Sequence, residues 1–299
     1  MKILLLGANG QVGWELQRSL APLGDVKVCD RSSANLESLD ALRNVVREYG
    51  PAIIVNAAAY TAVDKAESEP AKAKAINTDA VVVLADEAKR LNAWLIHYST
   101  DYVFDGSKPG SYVESDETNP QSVYGQTKLD GEEAIRQSGC RHLIFRTSWV
   151  YALRGANFAK TMIRLAKERD GLKVVADQFG VPTSASLIAD VTALCLYNIE
   201  LREDASRDSL SGVYNLVPHG ETTWHGFASY VIGNGQERGE SFQVPAENIQ
   251  AITTAEFPVP AKRPANSRLI PAKLEKQFGL SLPLWQVHVD KLITEILGQ

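Results

Sequence analysis

The sequence predicts an α/β fold in which a doubly wound parallel sheet is joined to a smaller C-terminal α/β lobe. Short apolar runs alternate with amphipathic stretches through the first half of the 299 residues. The apolar runs lack a polar residue at every second position, which is typical of parallel strands covered by helices on both faces. The first run also leads directly into a glycine-rich turn. The pattern of strand, crossover helix and parallel strand therefore repeats along this half.

The individual elements follow from the same pattern. We expect strands at residues 2–6, 26–29, 53–55, 94–98 and 143–145. The amphipathic stretches between them predict helices at residues 11–20, 36–49, 71–91 and 122–137. After Trp149 the alternation weakens, and prolines separate predicted helices at 158–167, 186–199 and 284–297 and a strand at 213–216. The second half is therefore predicted to be a smaller lobe packed against the first.

Composition and charge exclude several classes of protein. A formal net charge of −5 argues against a surface that binds nucleic acid or an anionic membrane. The apolar run at residues 2–6 ends at Gly7, short of the ~7–15 residues of a signal peptide, and no segment approaches the ~18 apolar residues of a membrane span. The three cysteines form no CxxC pair. We expect a cytoplasmic protein with neither nucleic acid nor a membrane as partner.

The glycine-rich turn predicts a dinucleotide site. Gly7, Gly10 and Gly13 lie between the first strand and the first helix, in the order Gly-Ala-Asn-Gly-Gln-Val-Gly. In such a turn the first glycine allows a tight bend, the second a close approach to pyrophosphate, and the third close packing of helix on strand. The helix N-terminus then faces the phosphates. We therefore expect a Rossmann-type dinucleotide-binding domain at residues 1–150 and mainly a substrate-binding lobe at 151–299, some of whose segments return to the first domain.

Acidic and basic residues after the second strand bear on the choice of cofactor. Asp30 follows Gly13 by 17 residues, where a carboxylate accepts hydrogen bonds from the adenosine ribose of NAD. Its neighbour Arg31 suits the 2′-phosphate of NADP, so we expect both cofactors to be accepted. Asp40 either reaches the adenine amino group or is a solvated residue at a helix start.

A second pair of motifs predicts acid–base chemistry. Tyr124 and Lys128 lie one turn apart on a predicted helix, and Ser99-Thr100-Asp101 follows the fourth predicted strand at the sheet edge where ligands bind. A lysine ammonium near a phenol favours the ionised form, so we expect a lowered pKa for Tyr124. Thr100 is placed to donate a hydrogen bond to the same substrate oxygen.

The glycine spacing and the Tyr-x-x-x-Lys pair resemble the extended short-chain dehydrogenase/reductase superfamily. The resemblance implies that Thr100, Tyr124 and Lys128 are catalytic, that Lys128 also binds the nicotinamide ribose, and that Ala57 to Ala59 pass beneath the phosphates. The cofactor-binding residues are then expected to be Gly7, Gly10, Gln11, Val12, Gly13, Asp30, Arg31, Leu39, Asp40, Ala57, Ala58, Ala59, Ser99, Tyr124 and Lys128.

Longer strings narrow the resemblance to one family. Residues 7–13, 99–106, 124–128, 146–151, 177–183 and 263–267 are similar to the dTDP-4-dehydrorhamnose reductase family. In the related nucleotide-sugar dehydratases a Thr-Asp-Glu string supplies a base, whereas Tyr102 follows Asp101 here. This departure favours simple reduction of a carbonyl.

The family implies reduction of the C4 ketone of dTDP-4-dehydro-β-L-rhamnose by NADPH or NADH. The product, dTDP-β-L-rhamnose, completes dTDP-L-rhamnose biosynthesis and is a precursor of cell-surface polysaccharides such as the O-antigen of lipopolysaccharide. Tyr124 would protonate the new alkoxide, and Trp149 would pack on the deoxysugar or, alternatively, in the core. The expected substrate-binding residues are Thr100, Asp101, Tyr102, Trp149, Asn157, Gln178 and Arg263. Arg263, with Lys262 and Arg268, either pairs with the diphosphate or is a surface arginine.

The family also implies Mg²⁺ and a homodimer. Glu15 is the candidate metal ligand, with an isolated exposed glutamate as the alternative. Two other functions stay open: another nucleotide-sugar 4-ketoreductase or epimerase of the superfamily, and a non-catalytic NADP-binding regulatory subunit. The intact set of Thr100, Tyr124 and Lys128 argues against the second.

Overall fold

The protein, described here as a computed structural model over residues 1–298, has the predicted α/β fold. The strands are β1 (Lys2–Leu6), β2 (Asp25–Cys29), β3 (Ile53–Asn56), β4 (Trp94–Thr100), β5 (Arg141–Thr147), β6 (Val150–Tyr151), β7 (Lys173–Val175), β8 (Phe179–Gly180), β9 (Thr183–Ser184), β10 (Gly212–Asn215), β11 (Thr222–Thr223) and β12 (Gln250–Ile252). The α-helices are α1 (Gln11–Leu20), α2 (Leu39–Tyr49), α3 (Val63–Ala66), α4 (Pro70–Lys74), α5 (Ala80–Leu91), α6 (Val123–Ser138), α7 (Phe158–Glu168), α8 (Ala185–Glu200), α9 (Asp204–Arg207), α10 (Trp224–Glu237), α11 (Ala272–Phe278) and α12 (Trp285–Leu297).

Six parallel strands form the central sheet in the order β10-β5-β4-β3-β1-β2. The chain leaves β1 to one side to form β2 and returns to the other side to form β3. The connections that follow β1 and β3 therefore diverge and leave a crevice at the carboxyl ends of the strands, where open α/β sheets bind ligands. The predicted doubly wound sheet is confirmed.

Both faces of the sheet are buried, which explains the apolar runs in the sequence. Along β1, Ile3 and Leu5 pack into one apolar layer, while Leu4 and Leu6 pack into the layer on the opposite face. All four side chains are fully buried. Because each face needs apolar side chains, the strand cannot alternate between polar and apolar residues.

The predicted helix at residues 71–91 contains a five-residue π-helical segment, Ala75–Asp79, between α4 and α5. Asn77 lies in this segment and is buried. Its side chain accepts from the backbone N–H of Tyr60 at 2.9 Å and donates to the Tyr60 carbonyl at 3.1 Å and the Thr127 hydroxyl at 3.2 Å. The wider turn thus joins the connection after β3 to α6.

Some segments of the second half of the chain belong to the first domain. β10 pairs with β5, and α8 packs along α1. α7, α10 and α12 enclose a separate apolar cluster that includes Phe227 and Val289. α10 and α11 were not predicted, because α10 contains three glycines and α11 has only seven residues. The division at residue 150 stays a prediction. Over residues 1–298, no helix is both long and apolar enough to span a bilayer.

Candidate active site

A cleft of about 850 Å³ opens at the carboxyl ends of β1, β3, β4 and β5. Most of the residues singled out in the sequence line it. They are Gly7, Gly10, Gln11, Val12, Asp30, Arg31, Ala57, Ala58, Ala59, Ser99, Thr100, Asp101, Tyr102, Tyr124, Lys128 and Trp149. The glycine-rich turn and the Tyr124–Lys128 pair, which are about a hundred residues apart in the sequence, therefore line the same cavity.

The glycine turn lines the cleft and depends on residues without a side chain. Gly7 has a φ of +83°, and a Cβ there would lie 2.5 Å from the backbone nitrogen of Ala58. A Cβ on Gly13 would lie 2.1 Å from the Gly7 carbonyl oxygen, so α1 could not approach β1 as closely. Gly10 precedes α1 and supplies no side-chain cap, which leaves the first amides of this helix to an anion in the cleft.

Asp30 begins the turn after β2, and its carboxylate is held in place by hydrogen bonds. One oxygen accepts from the backbone N–H and hydroxyl of Ser32, at 2.9 and 2.6 Å, and the other accepts from the Asn9 side chain at 3.1 Å. The hydrogen bonds from Ser32, together with those from Ser33, lower the pKa of Asp30 to about 2. Asp30 is therefore ionised at neutral pH and faces the cleft as an acceptor.

The residues that follow Asp30 are placed differently from the expectation. Asn35, Leu36 and Glu37 line the cleft, and Glu37 pairs with Arg31. Leu39 and Asp40 lie outside the cleft lining: Leu39 packs against the apolar layer, and the Asp40 side chain is 95% exposed and pairs with Arg43. Residues 30–38 form a turn, so α2 begins at Leu39 and not at residue 36 as predicted. Leu39 and Asp40 consequently lie further from the cleft. Helical periodicity alone does not show where such a turn ends.

The polar end of β4 supplies the next wall of the cleft. The predicted strand ends at Tyr98, whereas β4 continues through Ser99 and Thr100 in register with Arg146 and Thr147. The Thr100 hydroxyl donates to the Asp101 carboxylate at 2.9 Å. Burial raises the pKa of Asp101 to about 6, although the neighbouring hydroxyls of Ser267 and Thr100 oppose this.

Two further buried hydroxyls beside Asp101, on Ser99 and Thr147, lack a hydrogen-bond partner within the described chain. Both residues line the cleft. A buried hydroxyl without a hydrogen-bond partner lowers the free energy of unfolding, and a polar ligand bound in the cleft would supply such a partner.

Tyr124 and Lys128 lie in the first turns of α6. Ser122 caps this helix by accepting from the Gly125 amide at 3.1 Å. The Tyr124 ring meets the Tyr102 ring edge to face, with centroids 5.5 Å apart. Gly125 permits this approach, because a Cβ there would lie 2.3 Å from the Tyr102 carbonyl oxygen.

The expected lowering of the Tyr124 pKa is wrong for this structure. Burial raises the pKa of Tyr124 to about 12, against the opposing effect of the Thr100 hydroxyl. The Lys128 side-chain nitrogen contacts the Tyr98 carbonyl oxygen at 2.6 Å and Nε2 of His97 at 3.1 Å, so its charge does not outweigh the effect of burial on the neutral phenol. The phenol of Tyr124 therefore keeps its proton at neutral pH.

Lys128 is itself perturbed. Its side chain is almost completely buried, and this burial lowers the pKa of Lys128 to about 8, although the charge of Glu132 opposes the change. Glu132 lies one turn further along α6 and pairs with Arg146 at 2.6 Å inside the protein. The Glu132–Arg146 pair ties α6 to β5 beneath the site.

Two tryptophans form the far wall of the cleft. Trp149 has a φ of +47° and stacks on Trp224, with ring centroids 3.7 Å apart. Gly180 lies behind the ring, where a Cβ would be 2.5 Å from Cε2 of Trp149. Gln178 is buried and accepts a hydrogen bond from Nε1 of Trp224 at 3.1 Å. Trp224 was not predicted, since only the fold brings it to Trp149.

The remaining predicted substrate residues do not line the cleft. Asn157 caps α7 and donates to the Gln11 side chain at 3.2 Å, and Gln178 supports Trp224 as described above. Arg263 pairs with Asp64 at 3.1 Å. Lys262 and Arg268 are held by Gln121 and Glu221, respectively. Gly13 lies below the glycine turn, where it permits close packing.

The structure does not fit the expected Mg²⁺ at Glu15. The carboxylate of Glu15 lies 3.9 Å from the guanidinium of Arg18. Within residues 1–298, no group of three or more His, Cys, Asp or Glu side chains is arranged to hold a metal ion. We therefore derive no step of the chemistry from a metal.

Comparisons with known proteins cover the whole chain. A sequence model of the family described as RmlD substrate binding domain matches residues 1–297. The chain is 49% identical over 299 residues to a dTDP-4-dehydrorhamnose reductase of Burkholderia thailandensis, covering 100% of both chains. Among solved structures, the chain is similar to a dTDP-4-dehydrorhamnose reductase of Bacillus anthracis in complex with NADP (TM-score 0.88, 32% identity, 98% of this chain and 99% of the other). The chain is also similar to the structure of a dTDP-4-dehydrorhamnose reductase from Clostridium acetobutylicum (TM-score 0.89, 36% identity, 100% of both chains).

Proposed function

The chain belongs to the family described as RmlD substrate binding domain, and from this premise we propose that it is a dTDP-4-dehydrorhamnose reductase. It is an NADPH-dependent oxidoreductase that reduces the C4 ketone of dTDP-4-dehydro-β-L-rhamnose to the alcohol, the last step of dTDP-L-rhamnose synthesis. The single observation that carries this function is that Thr100, Tyr124 and Lys128 meet in one cleft with a dinucleotide turn. The full-length similarity to named reductases supports the same substrate.

The cofactor is a nicotinamide dinucleotide, and we propose that both NADPH and NADH are used. The glycine turn and the free amides of α1 suit its pyrophosphate, and Asp30 and Arg31 suit its adenosine ribose. A Cβ on Gly7 would collide with the backbone of Ala58, and a Cβ on Gly13 would collide with the Gly7 carbonyl, so the turn keeps this shape only with glycine at both positions. When bound, the reduced nicotinamide supplies the hydride.

Tyr124 is the proton donor in this mechanism. Reduction of a ketone leaves negative charge on the oxygen, and a neutral phenol beside that oxygen can give it a proton. The raised pKa of Tyr124 keeps the phenol protonated before the reaction. Thr100 and Asp101 hold the sugar, and Lys128 in its ammonium form stabilises the phenolate that remains. After the transfer Tyr124 regains its proton from solvent.

Two features of the cleft match a reductase acting on a deoxysugar. Tyr102 occupies the position after Asp101 and packs its ring against Tyr124, so no carboxylate is placed there to remove a proton from a sugar carbon. Trp149 and its stacking partner Trp224 both line the cleft, and their apolar rings suit sugar C–H groups. The first feature separates reduction from dehydration, and the second supports Trp149 as a substrate-binding residue.

We also propose a homodimer. Leu194 and Tyr197 in the C-terminal half of α8, and Leu201 directly after this helix, have exposed fractions of 50%, 54% and 67%. A second copy of the chain would bury these side chains. Sedimentation of the protein at micromolar concentration is expected to give twice the mass of one chain, and Leu194→Lys with Leu201→Lys is expected to give one chain; a parent that sediments as one chain contradicts the dimer.

The reaction itself is tested by isotope transfer. With NADPH that carries deuterium at the transferred position, the product sugar is expected to contain one deuterium at C4. Deuterium at another carbon, or a sugar that returns without deuterium, would show that this cleft does not reduce the C4 ketone.

A further inference from the structure

His97 is a buried titratable residue to which the mechanism above assigns no role. It lies in β4, is 1% exposed and does not line the cleft. Its ring nitrogens contact two polar side chains: Nε2 lies 3.1 Å from Nζ of Lys128, and Nδ1 lies 3.2 Å from Nδ2 of Asn56. Asn56 ends β3, the neighbouring strand. A continuous chain of hydrogen bonds therefore runs from β3 through β4 to a catalytic residue.

The direction of each hydrogen bond in this chain follows from the donor at its end. The backbone N–H of Ala58 can only donate, and it lies 3.2 Å from Oδ1 of Asn56. The amide nitrogen of Asn56 therefore faces His97 and donates to Nδ1. A neutral imidazole has one ring proton, so this proton is on Nε2. His97 consequently donates to Nζ of Lys128.

Lys128 must then accept a hydrogen bond, and only the amine form has a lone pair with which to accept. The amine also donates to the Tyr98 carbonyl oxygen at 2.6 Å. An ammonium group instead needs Nε2 as acceptor, which moves the ring proton to Nδ1 and turns the Asn56 amide. Nδ2 of Asn56 would then face the N–H of Ala58, and that hydrogen bond would be lost. The chain as a whole is therefore consistent with the amine.

Of the other influences on the pKa of Lys128, burial lowers it and the charge of Glu132 raises it. Glu132 lies on the same helix and is itself paired with Arg146 of β5. Tyr124 on α6 is neutral at neutral pH, and the Tyr98 hydroxyl on β4 is directed to Thr192. His97 stays neutral, because burial holds its pKa well below the usual value, and the positive charge that Lys128 carries in its ammonium form lowers this pKa further. The hydrogen bond from His97 thus adds to the effect of burial.

We propose that Asn56 and His97 are positioning residues that act through Lys128 and stabilise its amine form. This inference rests on the proposed function only in its consequence for turnover. Because the ammonium of Lys128 stabilises the Tyr124 phenolate, the rate of ketone reduction is expected to fall as Lys128 loses its proton. Asn56 and His97 thereby set the upper pH limit of the reaction.

The hydrogen-bond chain is tested first without any sugar substrate. Histidine ring ¹⁵N NMR on the parent protein, with His97 assigned through His97→Gln, is expected to show the Nε2 proton when Lys128 is an amine. The ring is expected to change to the Nδ1 tautomer as Lys128 gains a proton near pH 8, and Lys128→Met is expected to abolish this change. One tautomer throughout, or the same change in Lys128→Met, overturns the proposal whether or not the protein reduces this sugar.

The effect on turnover is tested by a double-mutant cycle on the pH profile of kcat/KM. The carboxylate introduced by Asn56→Asp can only accept a hydrogen bond, so the ring proton of His97 is expected to move to Nδ1. Nε2 then accepts from the ammonium form of Lys128 and stabilises it. The fall in rate at high pH is therefore expected to move upward by about one pH unit. In a His97→Phe background the shift is expected to be less than half as large, and His142→Phe in β5 is the matched control. No shift in Asn56→Asp, or an equal shift in both backgrounds, overturns the proposal; if His97→Phe does not fold, the NMR result decides.

Discussion

Trp149 lies parallel to Trp224, with ring centroids 3.7 Å apart and an angle of 13° between the planes. Trp149 occupies a left-handed backbone conformation that is rare for a large side chain. The stacking on Trp224 and the absence of a Cβ on Gly180, which would lie 2.5 Å from Cε2 of Trp149, explain how the ring is accommodated there. The orientation of the proposed sugar-binding surface therefore depends on a residue 75 positions away in the sequence.

Trp224→Leu is expected to weaken substrate binding more than cofactor binding. An aromatic pair contributes about 0.5–1.5 kcal/mol beyond the area it buries, so KM for the sugar nucleotide is expected to rise about threefold to tenfold. Steady-state kinetics measure this, and fluorescence titration of NADPH is expected to give an unchanged Kd. Trp14→Phe, on α1 outside the cleft lining, is the control. An unchanged KM in Trp224→Leu would mean that Trp224 does not orient Trp149.

Tyr124→Phe is expected to remove most of the turnover and leave the cofactor site intact. A positioned proton donor contributes about 10²–10⁴-fold to the rate, so kcat is expected to fall by that factor. Single-turnover kinetics with NADPH measure the loss, and the NADPH Kd is expected to stay within about twofold of the parent. Parent-like turnover in Tyr124→Phe would show that another group supplies the proton.

Asp30 and Arg31 are expected to divide the two cofactors between them. Asp30→Ala removes an acceptor that suits ribose hydroxyls, so it is expected to raise the Kd of NADH more than that of NADPH. Arg31→Ala is expected to do the reverse, because a guanidinium pairs with a 2′-phosphate. Calorimetry with each cofactor measures both effects. Equal weakening of the two cofactors in each variant is the result that contradicts these roles.

Asp101 gives stability a pH dependence of known sign. The pKa of Asp101 is about 6 in the folded protein, above the unfolded value of ~3.9. Protonated Asp101 therefore contributes fully to the free energy of unfolding below about pH 4, and this contribution is lost as the pH rises through 6. Relative to Asp101→Asn, the parent is expected to lose about 2–3 kcal/mol of unfolding free energy over this range. Urea denaturation at several pH values measures the difference.

Asp105→Asn is the matched control for this prediction. The pKa of Asp105 is lowered to about 2, mainly by hydrogen bonds from Ser107, so the parent is expected to gain stability relative to this variant as pH rises from about 2 to 4. A constant difference between the parent and Asp101→Asn across pH 4–6 would show that burial does not hold the proton on Asp101.

Sequence reasoning found the parts of the site that local motifs encode. The turn at Gly7 to Gly13 and the Tyr124–Lys128 pair depend on short-range spacing, so a strand, a turn and a helix were enough to locate them. Thr100 was found because it lies at a strand end. Gly7, Gly10, Thr100, Tyr124 and Lys128 line one cleft, whereas Gly13 lies below the turn.

The missed features depend on contacts between distant segments. Trp224 reaches Trp149 only through the packing of α10, and Lys128 contacts His97 across the sheet. The same contact explains the wrong expectation for Tyr124, because spacing on a helix does not show where the lysine amine is directed. Asn35 and Leu36 replace Leu39 and Asp40 at the cleft because the side chain of Asp30 organises its own turn.

The most direct measurement is the oxidation of NADPH by the purified protein when dTDP-4-dehydro-β-L-rhamnose is added. The account predicts consumption of one NADPH for each sugar nucleotide, formation of dTDP-β-L-rhamnose, and loss of both in Tyr124→Phe. The C4 ketone of a nucleotide sugar of the opposite configuration at C5 is the specificity control. NADPH that binds but is not oxidised by the L-sugar, with an active upstream enzyme supplying it, would contradict the central claim.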